Sequence, residues 1–499
     1  MSRRLYFPSL YVWGIVLVLC VISRLITTIY YIEDIDSLRF ALSMVAYDIG
    51  KLQPHFPAYP VFCFLAKIVY GVTGRYAITF SLLGGMSTCL VIFFMLSIAK
   101  VHCTSLLGKI CMFVAFMNPL LWLMSNRYMP DTMGVACLLA SLYYITIPEK
   151  YNHGTLLCLN TVGFLLAGIL MGIKASYIPF LLPALFICLI QYSGRVKKII
   201  AGIIGVLVWL IPLIMLTGWT DLVAAAQKQS HGHFSDFGGA VSTNPEIMIR
   251  VSKMLESIVA DGFGLYWIGR HPITAACTVF LIAIILVNVW YGLSRMQDAT
   301  LYKKYKRMLR NPILLGTVTY CLWIFIGQNI IYKSRHVLPI LPVVALGIAF
   351  CCYQFIQNNM VILNKGGRNP IKHRLLRWGT VFMFLTCYSC VSLNTVIQHT
   401  QPTAIAQVHR YLHNRQLESS DNLTIVSVPL IKYYLASQDI TANYITIKDE
   451  TDLSLLDDIK TGLIVIGSPL PNRTGRKTET FYHNPYVNRM WSELSVYEY

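Results

Sequence analysis

The sequence predicts an α-helical polytopic membrane protein of about eleven spans with a small C-terminal α/β extracytoplasmic domain. Three observations predict it. The 499 residues are 56% hydrophobic and only 13% charged, against roughly 25% in soluble domains, and the mean hydropathy is +0.57. Several apolar runs, such as 10–30, 77–99 and 273–293, approach the 20 residues or so that a bilayer crossing needs. The 41 Lys and Arg outnumber the 23 Asp and Glu, yet they are spread through short loops between the runs. That is the positive-inside pattern of a membrane protein, not the single basic patch of a nucleic-acid binder, so membrane lipids and not nucleic acid are the expected surroundings.

Taken in order, the first run ends in Tyr30, Tyr31 and Ile32. It is too long, and lacks the small-residue cleavage site, to be a signal peptide. It reads as the first span, with Arg24 reaching toward the outer headgroups. Further spans are expected over 77–99, 105–124, 132–148, 155–172, 175–192, 198–217, 272–293, 312–332, 337–356 and 378–397. With Arg3 and Arg4 inside, this count places Lys100, Lys109, Lys150, Arg195, Lys197, Lys198 and the clusters over 303–310 and 365–377 in the cytoplasm. Outside it leaves two loops, 33–76 and 218–271, and a tail. The chain therefore divides into a transmembrane domain, 1–400, and an α/β domain, 401–499. Within the first loop, residues 59–74 are too short to span and suit an interfacial helix, with Lys67 and the tyrosines at headgroup level.

The tail changes to alternating polar and apolar residues. Helices are expected over 404–417, 430–437 and 452–459, and strands over 423–428, 443–447 and 462–468, a pattern of layered strands and helices. No GxGxxG follows a strand, so no nucleotide is assigned. Asn422 and Asn472 begin glycosylation sequons. The 14 cysteines lie mostly in spans, as small apolar residues do, and no disulfide framework or zinc site is expected. There is no internal repeat.

Residues 34–60, "DIDSLRFALSMVAYDIGKLQPHFPAYP", stand out. Acids beside a span are costly unless solvated or used, and Asp34 and Asp36 lie just past the first span. A helix over about 37–49 leads to a segment stiffened by Pro54, Pro57 and Pro60, which suits the wall of a site; a solvated linker is the plain alternative. Cations also collect at this face against the positive-inside bias: Lys174 in a hairpin turn, Arg335 with His336 before the tenth span, and Arg127 near Asp131. Snorkelling is the plain reading of each, Arg127 and Asp131 also fit a structural ion pair, and Asp131 fits an N-cap. The stretch "SHGHFSDFGG" holds His231, His233 and Asp236 at a spacing that fits no standard metal site, so a Gly-rich lid is preferred. Asp261 and Trp267 are further candidates for lining the cavity.

The stretch 36–62, with "MPDTMG" (129–134), "GIKASYIPFLLP" (172–183) and "SRHVLPILP" (334–342), resembles the GT-C superfamily. These are polytopic glycosyltransferases that use polyprenyl-phosphate sugars, among them protein O-mannosyltransferases and aminoarabinose transferases. Phe56 and Ala58 stand where the family's His-Pro-Pro-Gly-Tyr-Pro-like run has Pro and Gly. The resemblance implies that Asp36, assisted by Asp34, takes or orients the acceptor proton. It implies that Asp48, His55, Tyr59, Arg127, Asp131, Lys174, Arg335 and His336 bind substrate, the cations facing the departing phosphate. The implied partners are a polyprenyl-phosphate sugar donor and a lipid, glycan or protein acceptor, at the extracytoplasmic face of a bacterial inner membrane. No cofactor is implied, and a divalent cation is left open. A transporter or flippase of lipid-linked glycans is the alternative, though such proteins place ionisable groups at the midplane of repeated halves. A lipid-linked glycan polymerase or ligase, or a non-catalytic receptor, are further rivals.

Overall fold

Each apolar run marked above folds as helix. The computed structural model describes residues 10–147, 153–236, 239–243, 246–294, 311–357, 370–418, 423–446, 462–470, 473–475 and 477–499. Arg3, Arg4, Lys150, the 303–310 cluster, Lys365, Arg368, both sequon asparagines and the expected helix 452–459 lie outside the described residues, as does the side chain of Asp236.

The bundle is built from α1 (Leu10–Ile26), α4 (Tyr76–Ala99), α5 (Leu106–Phe116), α6 (Pro119–Asn126), α7 (Asp131–Ile145), α8 (His153–Lys174), α9 (Ile178–Gln191), α10 (Arg195–Thr217), α13 (Ile273–Ser294), α14 (Pro312–Gly327), α15 (Leu341–Gln357) and α16 (Pro370–His399). At one end lie α2 (Ile35–Val45), α3 (Pro60–Thr73), α11 (Trp219–His231) and α12 (Ile247–Glu256). Among the described residues six helices are long and apolar enough to cross a membrane, or seven if the α5–α6 pair, bent by 53°, is one span. This is fewer than the eleven expected, because α1, α7 and α14 are short and 157–191 is one nearly continuous helical stretch. That stretch nevertheless turns back at Lys174, whose φ of −157° and ψ of 81° leave the helix. The turn follows from glycine contacts. A Cβ on Gly194 would strike Leu157, one on Gly205 the carbonyl of Leu165, and one on Gly172 the ring of Trp209. The paired numbers rise together, so α8 and α10 run parallel in direct contact, and α9 is the return between them in sequence. A Gly205→Leu change is expected to lower stability by about 1–3 kcal/mol through overpacking, read from thermal unfolding in detergent. Gly347→Ala, with open space around its Cα, is the control.

Arg24 does not reach headgroups; it is fully buried. Pro119 has no N–H, so the α5–α6 junction frees carbonyls. Arg24 donates to the freed Phe116 oxygen at 3.1 Å and lies 4.1 Å from the Trp122 ring centroid, where a cation is favoured by both the helix C-terminus and the ring face. Asn118 caps the restart by accepting from Leu121 N at 2.9 Å.

Residues 60–73 of the expected interfacial segment form α3, which exposes Phe64, Leu65, Ile68 and Val72. The C-terminal unit holds α17 (Ala404–Glu418), α18 (Pro429–Ala436) and five strands, β1 (Thr424–Val426), β2 (Asn443–Ile445), β3 (Leu463–Ile466), β4 (Lys477–Tyr482) and β5 (Glu493–Glu498). Their order is β2-β1-β3-β5-β4; β1 pairs parallel with β2 and β3, and β5 runs antiparallel to β3 and β4. The β4–β5 hairpin was not expected from the sequence. Helix α2 is the keystone between sheet and bundle. Its Ile35 and Leu38 pack with Ile405, Leu412 and Tyr434, while Phe40, Ala41 and Met44 pack with Phe62, Phe80 and Tyr128.

Candidate active site

Two residues at the start of α2 have different local roles. Asp34 is its N-cap and accepts from Ser37 N at 2.8 Å, as a side-chain oxygen there should. Asp36, in the first turn, is only 8% exposed. Its Oδ2 lies 2.6 Å from Lys333 Nζ and 2.5 Å from an Arg335 guanidinium nitrogen, and Oδ1 lies 3.8 Å from Arg39. Burial alone would push this carboxyl up, but Lys333 and Arg335 outweigh it and hold Asp36 well below the usual carboxylate range. It is therefore a carboxylate at neutral pH.

The proline segment closes one side. Ala58 and Tyr59 have φ of +70° and +49°, so position 58 uses a conformation that glycine adopts without steric cost. Strained backbone of this kind clusters at functional sites. The turn aims Tyr59 between Phe40, at 5.0 Å, and His55, at 5.3 Å, between ring centroids, and its hydroxyl is 3.3 Å from His55 Nε2. Burial pushes His55 down to about 3, against the pull of Asp36, so the imidazole is neutral. Its Nδ1 has no partner among the described residues.

A second ion pair lies across from Tyr59. Asp131 and Lys174 are buried and 3.2 Å apart, Tyr177 OH is 3.3 Å from Asp131, and Lys174 Nζ is 5.4 Å from the Tyr59 ring centroid. Neither an Arg127–Asp131 pair nor an Asp131 N-cap forms: Pro130 holds the cap position of α7, and the carboxylate turns to Lys174. Arg127 instead pairs with Glu33 and donates to Val487 O at 2.7 Å. Glu33 is the hub of a third group. His399 Nε2 lies 3.0 Å from one of its oxygens and Asn488 Nδ2 donates to the other at 2.9 Å. Burial alone would raise its pKa, but Arg127 and His399 bring it down to about 2.

Of the residues expected from sequence, the fold brings together Asp36, His55, Tyr59, Asp131, Lys174 and Arg335. His336 follows Arg335 in the same turn, and its Nδ1 has no partner among the described residues. Arg127 and Asp34 line, with Lys333 and Arg335, a narrow cleft that residues 485–490 close from the sheet side. Asp48 is not brought to Asp36: it binds Lys51 within its own turn. His233 bonds the Gly327 carbonyl, tying the outer loop to α14. Asp261 joins Arg270 and Arg489. Sequence reasoning missed Lys333, Glu33, His399 and Arg489. Among the described residues no three His, Cys, Asp or Glu side chains converge as metal ligands, and Asp36 and Asp131 are already engaged by cations. Across the ion-paired groups and Asp34, eight Lys and Arg face six carboxylates, which leaves two positive charges in excess.

No family model matches the sequence, and no curated protein matches it. Solved structures do. ArnT from Cupriavidus metallidurans bound to undecaprenyl phosphate is similar over 98% of this chain and 97% of its own, with a TM-score of 0.52 at 10% identity. An oligosaccharyltransferase from Archaeoglobus fulgidus tethered with an acceptor peptide is similar over 89% of this chain and 64% of its own, with a TM-score of 0.48 at 12% identity. The likeness to ArnT shows that this chain shares the ArnT fold over nearly its whole length.

Proposed function

We propose that this chain is an integral-membrane glycosyltransferase that moves a sugar from a polyprenyl-phosphate donor to a lipid, glycan or protein acceptor at the extracytoplasmic face. The observation that carries the reading is a buried carboxylate, Asp36, held by Lys333 and Arg335 at the end of an apolar bundle whose site has two surplus positive charges. Three cations, Arg39, Lys333 and Arg335, lie on the one carboxylate of Asp36; such an excess suits an anionic ligand, and a lipid phosphate matches both the sign and the place. The fold is that of ArnT, whose solved structure binds undecaprenyl phosphate. The reading has 1–400 cross the membrane eleven times and 401–499 stand as an extracytoplasmic domain in a bacterial inner membrane.

Chemically, the acceptor O–H gives its proton to Asp36 as its oxygen attacks the sugar's anomeric carbon. The bond from that carbon to the phosphate oxygen breaks, and the lipid phosphate leaves with the electron pair. Lys333, Arg335 and Lys174 meet the growing negative charge. In the resting site Lys333 and Arg335 neutralise Asp36. Sharing them with a phosphate raises the proton affinity of Asp36 toward that of an effective base. His55, Tyr59 and His336 supply hydrogen-bonding and ring surface for sugar or acceptor.

Purified protein given polyprenyl-phosphate sugars should release the lipid phosphate only when an acceptor is present. Vesicle transport of the intact donor without sugar release would favour a flippase instead. Arg335→Lys keeps the charge but loses the fork. It is expected to weaken undecaprenyl-phosphate affinity about tenfold, the loss of one charge-assisted bond, as read by microscale binding in detergent.

A further inference from the structure

One turn of the C-terminal sheet bonds the two segments that carry the halves of the Asp36 ion pair. Residues 483–492 join β4 to β5, and their conformation is fixed from within. Asn484 Oδ1 accepts from Tyr486 N at 2.9 Å, and Asn488 Oδ1 accepts from Met490 N at 2.9 Å. His483 Nδ1 accepts from Ala404 N at 3.0 Å. Its proton is thereby assigned to Nε2, which donates to Asn488 O at 2.9 Å.

From this rigid turn two side chains reach the site. Asn488 donates to Glu33, three residues before Asp36, while Arg127 ties the same carboxylate to Val487 O. Arg489 donates to the carbonyls of Ile330 and Ile331, each at 3.3 Å, just before Lys333 and Arg335. Its other nitrogen lies 2.5 Å from Asp261 and 3.6 Å from Glu256. Asp261 is shared with Arg270, whose guanidinium lies 3.9 Å from the Tyr486 ring centroid. Carbonyls past the end of α14 have no helical partner, and Arg489 supplies one.

We propose that Arg489 is a positioning residue: by clamping 330–331 it sets where Lys333 and Arg335 meet Asp36, so the C-terminal sheet organises the site in the bundle. The consequence for catalysis rests on the role given to Asp36 above; the clamp itself does not.

The test uses the full chain in detergent. Lys333 is three-quarters buried on Asp36, whereas Lys51 is 74% exposed. Each is acetylated with a lysine-reactive reagent and quantified by mass spectrometry. Arg489→Met should speed acetylation of Lys333 several-fold and leave Lys51 unchanged; Arg489→Lys, which keeps the pair with Asp261, should restore most of the protection. Leu463→Ala, a cavity on the sheet face formed with Val426 and Val465 and away from α2, controls for general loosening and should leave Lys333 protected. If Arg489→Met fails to fold, Arg489→Gln, which loses the ion pair with Asp261, carries the same comparison. Unchanged Lys333 reactivity in folded Arg489→Met or Arg489→Gln, or equal exposure in Leu463→Ala, overturns the clamp. Undecaprenyl-phosphate affinity separates the two readings. A wild type that does not bind this lipid removes the proposed donor and leaves the Lys333 result standing. A wild type that binds it should lose less affinity in Arg335→Lys/Arg489→Met than the sum of the two single losses, because Arg489 acts partly through that cation; strictly additive losses refute the coupling.

Discussion

Asp36→Asn is expected to lower sugar transfer by about 10²–10⁴-fold, the usual contribution of a positioned general base. The side chain keeps its shape and its capacity to accept from one cation, so the loss falls on proton transfer. The substitution also leaves Lys333 and Arg335 without their carboxylate. A phosphate then no longer competes with Asp36 for them, so undecaprenyl phosphate should bind at least as tightly as to the wild type. Turnover and lipid affinity thus move in opposite directions, which a merely unfolded variant would not show. Asp34→Asn should cost little, because Asn caps a helix about as well as Asp and the bond to Ser37 N survives. Parental turnover in Asp36→Asn would remove the base assignment. A larger loss in Asp34→Asn than in Asp36→Asn would move that role one step earlier in the loop.

The contrast between Asp34 and Asp36 shows how far the sequence could be read. Two acids just past the first apolar run, followed by prolines, mark a candidate site, and the structure puts Asp36, His55 and Tyr59 together there. Their partners were not legible. Lys333 and Arg335 lie 297 and 299 residues from Asp36, and nothing in local spacing pairs them. The run Lys333-Ser-Arg335-His336 did carry a signal, since it concentrates cations at the face that the sequence expects to lie outside, where the positive-inside bias disfavours them. Glu33 was passed over because a carboxyl next to a span reads as solvated, whereas its burial depends on Arg127, His399 and Asn488 arriving from three distant segments. Arg24 was misread for the same reason: snorkelling is a local argument, and the freed Phe116 carbonyl that holds Arg24 belongs to another helix. Helix positions followed from hydropathy, but the number of crossings depends on where short helices stop and where chains turn back. The β4–β5 hairpin escaped because "KTETFY" is a half-polar edge strand and "ELSVYE", though inside the sheet, is itself half polar.

Glu33→Gln should be the most destabilising single change at the site, by about 3–5 kcal/mol, because it leaves a buried Arg127 without a counter-charge. Glu33 has no exposed surface to speak of, and its two oxygens serve Arg127, Asn488 and His399. Its backbone oxygen also accepts from Thr403 at 3.0 Å. The first span, the end of α16 and the β4–β5 turn therefore meet on one residue. The same group makes stability depend on acid. A carboxyl near 4.5 when unfolded and about 2 when folded contributes stability that is complete above pH 4.5. That contribution is lost as pH falls through the window from about 4.5 to 2, and the difference amounts to about 3 kcal/mol. Wild type should thus weaken over this window, while Glu33→Gln, already without the ionised group, should show a flatter acid limb in thermal unfolding. Combining Glu33→Gln with Arg127→Met should recover part of the loss, since the pair is removed together and no buried charge is stranded. Simple additivity of the two changes, or an acid limb as steep in Glu33→Gln as in wild type, would mean that the hub is solvated and that α2 is held in place by its apolar contacts with Ile405 and Phe80 alone.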